Sequence, residues 1–186
     1  ILFAGSVTQS GIPQENPVKE HTPDFPVTIY DVHKLLGEKY LHHYNIQEGL
    51  QTVTLRLANV YGPGVSVGSS DRGVLNLMVR KGLSGETLTV YGEGASIRDY
   101  IYIDDVVRAF LTAGMHINVL AGQYYIIGSG HGTKIVDVIQ LVSDRIRLSS
   151  GHKPAVKHVP SPVGMSIIED RDFIADTRLF TEATDW

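Results

Sequence analysis

Tyr30 and Lys34 form a Y-x-x-x-K pair whose side chains could transfer protons together. Residues four apart lie on one face of a helix, about one turn apart. A lysine ammonium beside a phenol favours the phenolate and lowers the pKa of the tyrosine from about 10. The pair could therefore act as a general acid and base near neutral pH. The spacing is common by chance, and an ordinary surface helix pair is the alternative.

Ser6 follows a short apolar segment, ILFA, which we expect to be a buried strand over residues 1–4. Ligands of parallel sheets bind at the carboxyl ends of strands. The hydroxyl of Ser6 could therefore meet the same ligand as Tyr30. Alternatively, it only satisfies backbone groups in a turn.

Strand and helix patterns alternate along the chain, which predicts an α/β fold with a largely parallel sheet. A segment with four prolines, 11–28, is typical of a long surface loop. The pattern predicts strands over 1–4, 52–60, 86–91, 123–127 and 155–159. It predicts helices over 30–44, 73–83, about 104–115 and about 134–147.

Three details of these elements can be tested against the structure. An apolar stripe of Leu36, Tyr40 and Tyr44 supports the helix over 30–44. Asp104 is expected to cap the helix that ends near Met115, and Thr133 the helix that follows it. The tail beyond the last predicted strand has little clear period.

The composition bounds the function. The chain has 186 residues, with 16 lysines and arginines against 20 aspartates and glutamates, and this acidic balance argues against a general nucleic-acid binder. Hydrophobic residues make up 42%, which is enough for one domain or a pair of lobes. The chain has no cysteine, which excludes disulfides and thiolate sites and fits the reducing cytoplasm. We expect no membrane span, signal peptide or metal site.

Two longer motifs decide the family. LRLANVYGPG covers 55–64, and VYGEGASIRDYIYIDD covers 90–105. With Ser6 and Y-x-x-x-K before them, they resemble the extended short-chain dehydrogenases/reductases that act on nucleotide sugars, the UDP-galactose 4-epimerase-like family. That pattern reads S-S-x-x-V-Y-G, then Y-x-x-S-K, then L-R-x-x-N-V-Y-G-P, then G-x-G-x-x-R-D. The resemblance runs over nearly the whole chain in the same order.

The resemblance implies a catalytic set and a cofactor. It makes Ser6 the hydroxyl that bonds the sugar oxygen, Tyr30 the general base, and Lys34 the residue that binds the nicotinamide ribose. It also places Ala58 and Val60 against the cofactor, beside Tyr30 and Lys34. The cofactor implied is NAD, and NADP stays open.

The resemblance also implies two cationic contacts to substrate. Arg98 matches an arginine that contacts the diphosphate, and a guanidinium fork suits phosphate oxygens. Its alternative role is an ion pair with Asp99 or Asp105 that fixes the turn. Arg171 lies in the tail, where relatives often place a second nucleotide contact.

Three further residues are matched to substrate. Asn59 corresponds to an asparagine at the sugar-phosphate end of the pocket, with a strand-end cap as its alternative. Asn76 resembles a second contacting asparagine. Tyr91 stands where an aromatic or apolar side chain meets the nucleotide base, or else is a core tyrosine.

The chain departs from the pattern at several positions. Gly5 replaces a serine, Gln9-Ser10-Gly11 replaces V-Y-G, and His33 replaces the serine before the lysine. Ser6-Val7-Thr8 lacks the two carboxylates by which the 4,6-dehydratases of this family remove water, which disfavours dehydration. GSGHGT over 128–133 imitates a dinucleotide fingerprint, but its spacing and the lack of a following acidic residue reject that interpretation.

We therefore expect the C-terminal part of a Rossmann-type parallel sheet plus a smaller mixed α/β substrate lobe. Residues 1–64 and 101–128 would form the Rossmann part, and 65–100 and 129–186 the nucleotide-sugar lobe. The expected function is an NAD-dependent nucleotide-sugar epimerase. The alternatives are an NAD(P)H-dependent keto-sugar-nucleotide reductase or, third, a 4,6-dehydratase. The partners are a nucleotide-diphosphate sugar and a second copy in a homodimer. The cofactor fingerprint of the family is missing, so the chain is expected to be the later portion of a longer enzyme.

Overall fold

The structure is a computed structural model and describes residues 1–63, 73–164 and 167–186. Gly64 and residues 65–72, which begin the predicted sugar lobe, lie outside the described residues. The described strands are β1 (Leu2–Ser6), β2 (Val53–Leu57), β3 (Asn59–Tyr61), β4 (Leu88–Tyr91), β5 (Ile97–Tyr102), β6 (Tyr124–Ile127), β7 (Gly132–Lys134) and β8 (Val156–Val159). The described α-helices are α1 (Ile29–Glu48), α2 (Val74–Leu83), α3 (Ile103–Met115), α4 (Ile117–Leu120), α5 (Ile135–Ser150) and α6 (Arg178–Thr184). Short 3₁₀ helices cover Val7–Ser10 and Ile167–Asp170.

The main sheet is parallel, with strand order β1-β2-β6, as the sequence pattern predicts. Val53, Thr54, Leu55 and Arg56 of β2 are all buried, as expected for the central strand of a covered parallel sheet. α1 and α3 pack against β1 and β2. The register pairs Ser6 with Leu57, so the carboxyl ends of β1 and β2 lie side by side.

Two smaller sheets complete the described fold. β3, β5 and β7 form one, in which β5 and β7 pair antiparallel, and β4 pairs with β8 in the other. A second hydrophobic cluster joins α2, β4 and α5, apart from the core of the main sheet. Its buried members are Met78, Leu88, Val90, Ile139, Val142 and Ile146.

α1 is longer than predicted, and a different face of the helix is buried. Its amino end is closed by a capping box, in which the Asp31 N–H donates to Thr28 Oγ1 and the Thr28 N–H to Asp31 Oδ2. It ends at Gly49, whose φ of 67° suits glycine. The stripe of Leu36, Tyr40 and Tyr44 is exposed rather than packed on the core. Asp31 and Glu38 are the buried residues of this helix. Their carboxylates tolerate burial because each accepts hydrogen bonds inside the protein.

Three predicted details are wrong. The segment 52–60 is two strands, because the chain leaves the main sheet at Ala58, whose N–H donates to the carbonyl of Ile127. Tyr102, not Asp104, is the N-cap of α3, which places Asp104 inside the first turn. Lys134 is the N-cap of α5, because Thr133 is paired in β7. The tail has a bridge between Val18 and Ala175 and a helix, α6, that periodicity did not reveal.

Candidate active site

Ser6 is held at the carboxyl edge of the main sheet. It is the last residue of β1 and the N-cap of the following 3₁₀ helix. Its Oγ lies 2.8 Å from Thr8 Oγ1 and accepts the Thr8 N–H at 3.3 Å. The side chain therefore satisfies turn groups, as the alternative predicted, while it stays at the strand end where ligands bind.

Tyr30 and Lys34 lie in the first turns of α1, next to that edge. The Lys34 ammonium donates to the carbonyl of Ala4 in β1 at 2.8 Å. It also lies 5.7 Å from the centroid of the Tyr30 ring. The ring of Tyr30 is 46% exposed, so a ligand can reach it from solvent. One ammonium thus links the helix that carries the phenol to the strand that carries Ser6.

Ala58, Asn59 and Val60 occupy the crossing between two sheets. Ala58 is buried directly after Leu57, the register partner of Ser6. Asn59 and Val60 open β3 and are half-buried, and Asn59 pairs with Tyr100. The structure therefore brings these three residues to the same sheet edge as Ser6.

Asn76 and Tyr91 lie in outer elements. Asn76, in α2, accepts the Gly62 N–H through Oδ1 at 3.4 Å, which ties it to the end of the Y-G turn. Tyr91 ends β4 and is 47% exposed, so it is not a core tyrosine. No hydrogen bond or ring contact among the described residues joins Tyr91 to Ser6 or Tyr30.

Arg98 and Arg171 form a buried cationic pair. Arg98 donates to the backbone carbonyls of Arg171, Glu169 and Ile97. Arg171 donates to the carbonyl of Ile168, and its buried Nε has no hydrogen-bond partner among the described residues. Neither guanidinium forms an ion pair with a carboxylate in the described part of the chain. The alternative role of Arg98, an ion pair with Asp99 or Asp105, is therefore not found among the described residues, and Asp105 pairs with Arg108 instead.

The electrostatics of this pair favour an anion. Burial lowers the pKa of Arg98. Burial and the neighbouring charge of Arg98 lower the pKa of Arg171 to about 10. Both remain charged near neutral pH. No carboxylate among the described residues is paired with either guanidinium, although the charge of Glu169 acts on both from nearby. A diphosphate supplies a negative charge for this pair, with oxygens matched to the guanidinium fork.

Asp99 explains the glycine-rich turn that imitates a fingerprint. Its carboxylate accepts the N–H groups of Ser129 at 2.7 Å, Gly130 at 2.9 Å and Ala175 at 3.0 Å. The N–H groups that a fingerprint would offer to a pyrophosphate are thus used by Asp99. The same carboxylate holds the tail that carries Arg171 against β5.

Sequence reasoning missed a buried ion pair beside this site. Glu38 accepts from Arg56 twice, with Nε–Oε2 at 2.8 Å and Nη2–Oε1 at 2.6 Å. Burial disfavours the charge of Arg56, but its bonds to Glu38 and Asp24 outweigh burial and raise the pKa of Arg56. The pair joins a helix residue to a strand residue 18 positions later, so no local spacing in the sequence signals it.

The described residues contain no cluster of three acidic or histidine side chains able to hold a metal ion. Over the same ranges, every helix is too short or too polar to cross a membrane.

Comparison with known proteins gives one consistent family. Residues 1–128 match the model described as "NAD dependent epimerase/dehydratase family". The chain is 35% identical over 120 residues to a UDP-glucose 4-epimerase of Mycolicibacterium smegmatis, covering 64% of this chain and 37% of that protein. The chain spans about half the length of the curated relatives it matches.

Two solved structures share its fold. One is a UDP-glucose 4-epimerase of Thermotoga maritima with UDP-glucose, with a TM-score of 0.82 and 29% identity over 97% of this chain and 55% of that one. The other is a UDP-glucose 4-epimerase of Thermus thermophilus in complex with NAD. It has a TM-score of 0.77 and 27% identity over 97% of this chain and 56% of that one.

Proposed function

Because the chain belongs to the NAD dependent epimerase/dehydratase family, we propose that it carries the catalytic set of an NAD-dependent nucleotide-sugar epimerase. The reaction is the transient oxidation of a sugar hydroxyl followed by return of hydride. The observation that carries the proposal is the position of Lys34. Its ammonium bonds Ala4 in the strand that ends at Ser6, and lies 5.7 Å from the Tyr30 ring.

The roles of the three residues follow from this arrangement. Ser6 has a hydroxyl at the strand end, where it can exchange its turn partner Thr8 for the sugar oxygen. Tyr30 is reachable from solvent. It accepts the proton of the sugar hydroxyl while the C–H bond at the same sugar carbon breaks, and it later returns that proton. Lys34 places a positive charge 5.7 Å from the centroid of the Tyr30 ring, and its ammonium would donate to the hydroxyls of a bound ribose.

The residues at the sheet edge fit NAD in their chemistry. Lys34 offers an ammonium for ribose hydroxyls, and Ala58 and Val60 offer small or apolar surface beside it. When bound, the nicotinamide would supply the hydride acceptor and donor that no protein side chain provides. The NAD complex of the Thermus thermophilus relative supports the same assignment.

The substrate class is a nucleotide-diphosphate sugar. Arg98 and Arg171 support this assignment, since they are two buried cations and neither is paired with a carboxylate among the residues that the structure describes. The Thermotoga maritima relative is in complex with UDP-glucose, which has this chemistry.

The exposed stripe of α1 supports a homodimer that forms through this helix. A mass of two chains in solution would agree with the homodimer, and a mass of one chain would contradict it.

The proposal is tested on the protein expressed from its full reading frame. After denaturation, we expect about one NAD per chain, identified by mass. The protein should interconvert UDP-galactose and UDP-glucose, and Tyr30→Phe should lower kcat by about a hundred-fold or more, because proton transfer contributes that much. Tyr40→Phe, which removes the hydroxyl of an exposed tyrosine on the same helix, is the matched control and should leave kcat unchanged. An empty site, with consumption of NADPH and a keto sugar, would instead identify a reductase.

A further inference from the structure

Gln9 is fully buried, and both ends of its amide are used inside the protein. Its Oε1 accepts the N–H of Ser6 at 2.8 Å. Its Nε2 donates to Oε2 of Glu38 at 3.1 Å. One side chain therefore joins the strand end that carries the serine to the helix that carries Tyr30 and Lys34.

The Glu38 end of this link is rigid. Glu38 Oε2 also accepts from Arg56, which is 1% exposed and pairs with Asp24 at 2.7 Å. The Arg56 guanidinium lies 3.7 Å from the centroid of the Tyr124 ring. A buried amide whose partner is fixed in this way holds its own position, because each group loses a partner if it moves.

Gly5 provides the space that Gln9 needs. A Cβ at position 5 would lie 3.0 Å from Gln9 Oε1, 2.8 Å from Thr54 Cγ2 and 3.1 Å from Arg56 Cγ. These distances are shorter than ordinary carbon contacts. Positions 5 and 9, at both of which this chain departs from the family pattern, are thus linked through space.

We propose that Gln9 is a positioning residue that fixes Ser6 relative to Tyr30 and Lys34. The effect of Gln9 on turnover rests on the proposed function. The link that Gln9 makes between β1 and α1 rests on its own hydrogen bonds. Ser6 ends β1, and Glu38 lies one turn beyond Lys34 in α1. The amide sets the separation between these two elements without touching the sugar.

The first test replaces the amide by an apolar side chain of similar length. Gln9→Met should lower kcat by about ten- to a hundred-fold, as expected for a small misplacement of reacting groups, and leave the KM for UDP-galactose nearly unchanged. Gln47→Met, at an exposed position of α1, is the matched control and should change neither value. Unchanged kcat in Gln9→Met would overturn the proposal.

The second test uses pH. Gln9→Glu keeps the acceptor for the Ser6 N–H but places a carboxylate against Glu38, and such a pair holds a proton at raised pKa. The protonated form restores the donor. The ratio of variant to wild-type kcat should therefore rise as the pH falls from about 8 to about 6. A constant ratio would mean that Gln9 only fills space and would contradict the proposal.

A third readout does not depend on activity. Amide hydrogen exchange of the Ser6–Ser10 segment should become faster in Gln9→Met, because the Ser6 N–H loses its acceptor, and peptides of α5 should not change. If the wild-type protein has no activity on nucleotide sugars, the proposed function fails, and the exchange result alone decides the link. Equal exchange in both proteins would overturn it.

Discussion

At the scale of single residues, we expect Arg171 to affect the affinity for a nucleotide and the stability of the fold in different ways. Its guanidinium is buried beside Arg98, and its Nε has no hydrogen-bond partner among the described residues. In the proposed complex, a bound anion would offset the free energy of holding that charge inside the protein. Such a residue should matter more to the complex than to the fold.

Arg171→Gln should raise the Kd for UDP by about ten-fold or more, since a charge-assisted hydrogen bond contributes about 1.5–3 kcal/mol. The free energy of unfolding should stay the same or rise, because the substitution removes a buried cation from beside another. Titration calorimetry and urea unfolding measure the two quantities. Arg147→Gln, at an exposed position of α5, is the control and should leave the Kd unchanged. A large loss of stability with unchanged affinity would show that Arg171 is structural.

At the scale of elements, the proline-containing segment 11–28 packs against β6. Glu20 Oε1 accepts the N–H of Ile126 at 2.9 Å, and Tyr124 donates its hydroxyl to the carbonyl of Glu20. Burial raises the pKa of Glu20 above its ordinary value, and the nearby charge of Asp176 acts in the same direction. The carboxylate therefore opposes folding slightly once it is ionised.

Glu20→Gln should show this as a dependence on pH. The raised pKa means that the carboxyl group supports the fold below its unfolded pKa, and that this support is lost as pH rises through the folded pKa. Glutamine keeps the acceptor for Ile126 without the charge. The Tm of the variant relative to wild type should therefore increase from about pH 4 to about pH 7. Glu86→Gln, at an exposed position, should give the same difference at both pH values, and equal behaviour of the two variants would contradict the prediction.

Local pattern predicted the elements but not their partners. The apolar runs of β2, β6 and α5 are continuous in sequence, so their type and order follow from it. The break after Ala58 depends on the pairing of β3 with β5, and the displaced cap of α5 depends on the pairing of Thr133 with Arg98. Glu38 was inconspicuous until the fold brought Arg56 to it. Contacts between distant segments decide such details, and no local window contains them.

The residues of the candidate site also fall into those that the sequence indicated and those whose contacts depend on the fold. The family motifs indicated Ser6, Tyr30 and Lys34, and the structure brings them to one sheet edge. The tail residue Arg171 has no motif around it. Its place beside Arg98 is set by hydrogen bonds that the Arg98 guanidinium donates to the carbonyls of Glu169 and Arg171, 71 and 73 residues later in the chain. Gln9 is visible in the sequence only as a departure from a pattern, and its bonds require the fold.

At the scale of the whole molecule, the two hydrophobic clusters predict two lobes that respond separately to mutation. Leu88→Ala, in the outer cluster, should cost about 2–5 kcal/mol, and Ile127→Val, in the main core, about 0.5–1.5 kcal/mol. Substitutions without shared neighbours add within about 0.5 kcal/mol. Urea unfolding of the double variant should therefore give the sum of the two costs.

A pair inside one cluster provides the comparison. Leu88 and Ile146 both approach Gly82, so Leu88→Ala and Ile146→Val share a neighbour. Their effects should depart from additivity by about 0.5 kcal/mol or more. If the pair from different clusters departs from additivity by as much, the lobes form one cooperative core and the predicted division is wrong.

The two arginines of the cationic pair are synthesised at different times. Arg98 leaves the ribosome 73 residues before Arg171, which at translation rates of about 5–20 residues per second is roughly 4 to 15 s. During that interval the guanidinium of Arg98 has no carbonyls from Glu169 and Arg171, and water must occupy their place. The buried surroundings of Arg98 are therefore completed only after residues 169–171 have been synthesised, and the proposed diphosphate contact cannot form in a shorter nascent chain.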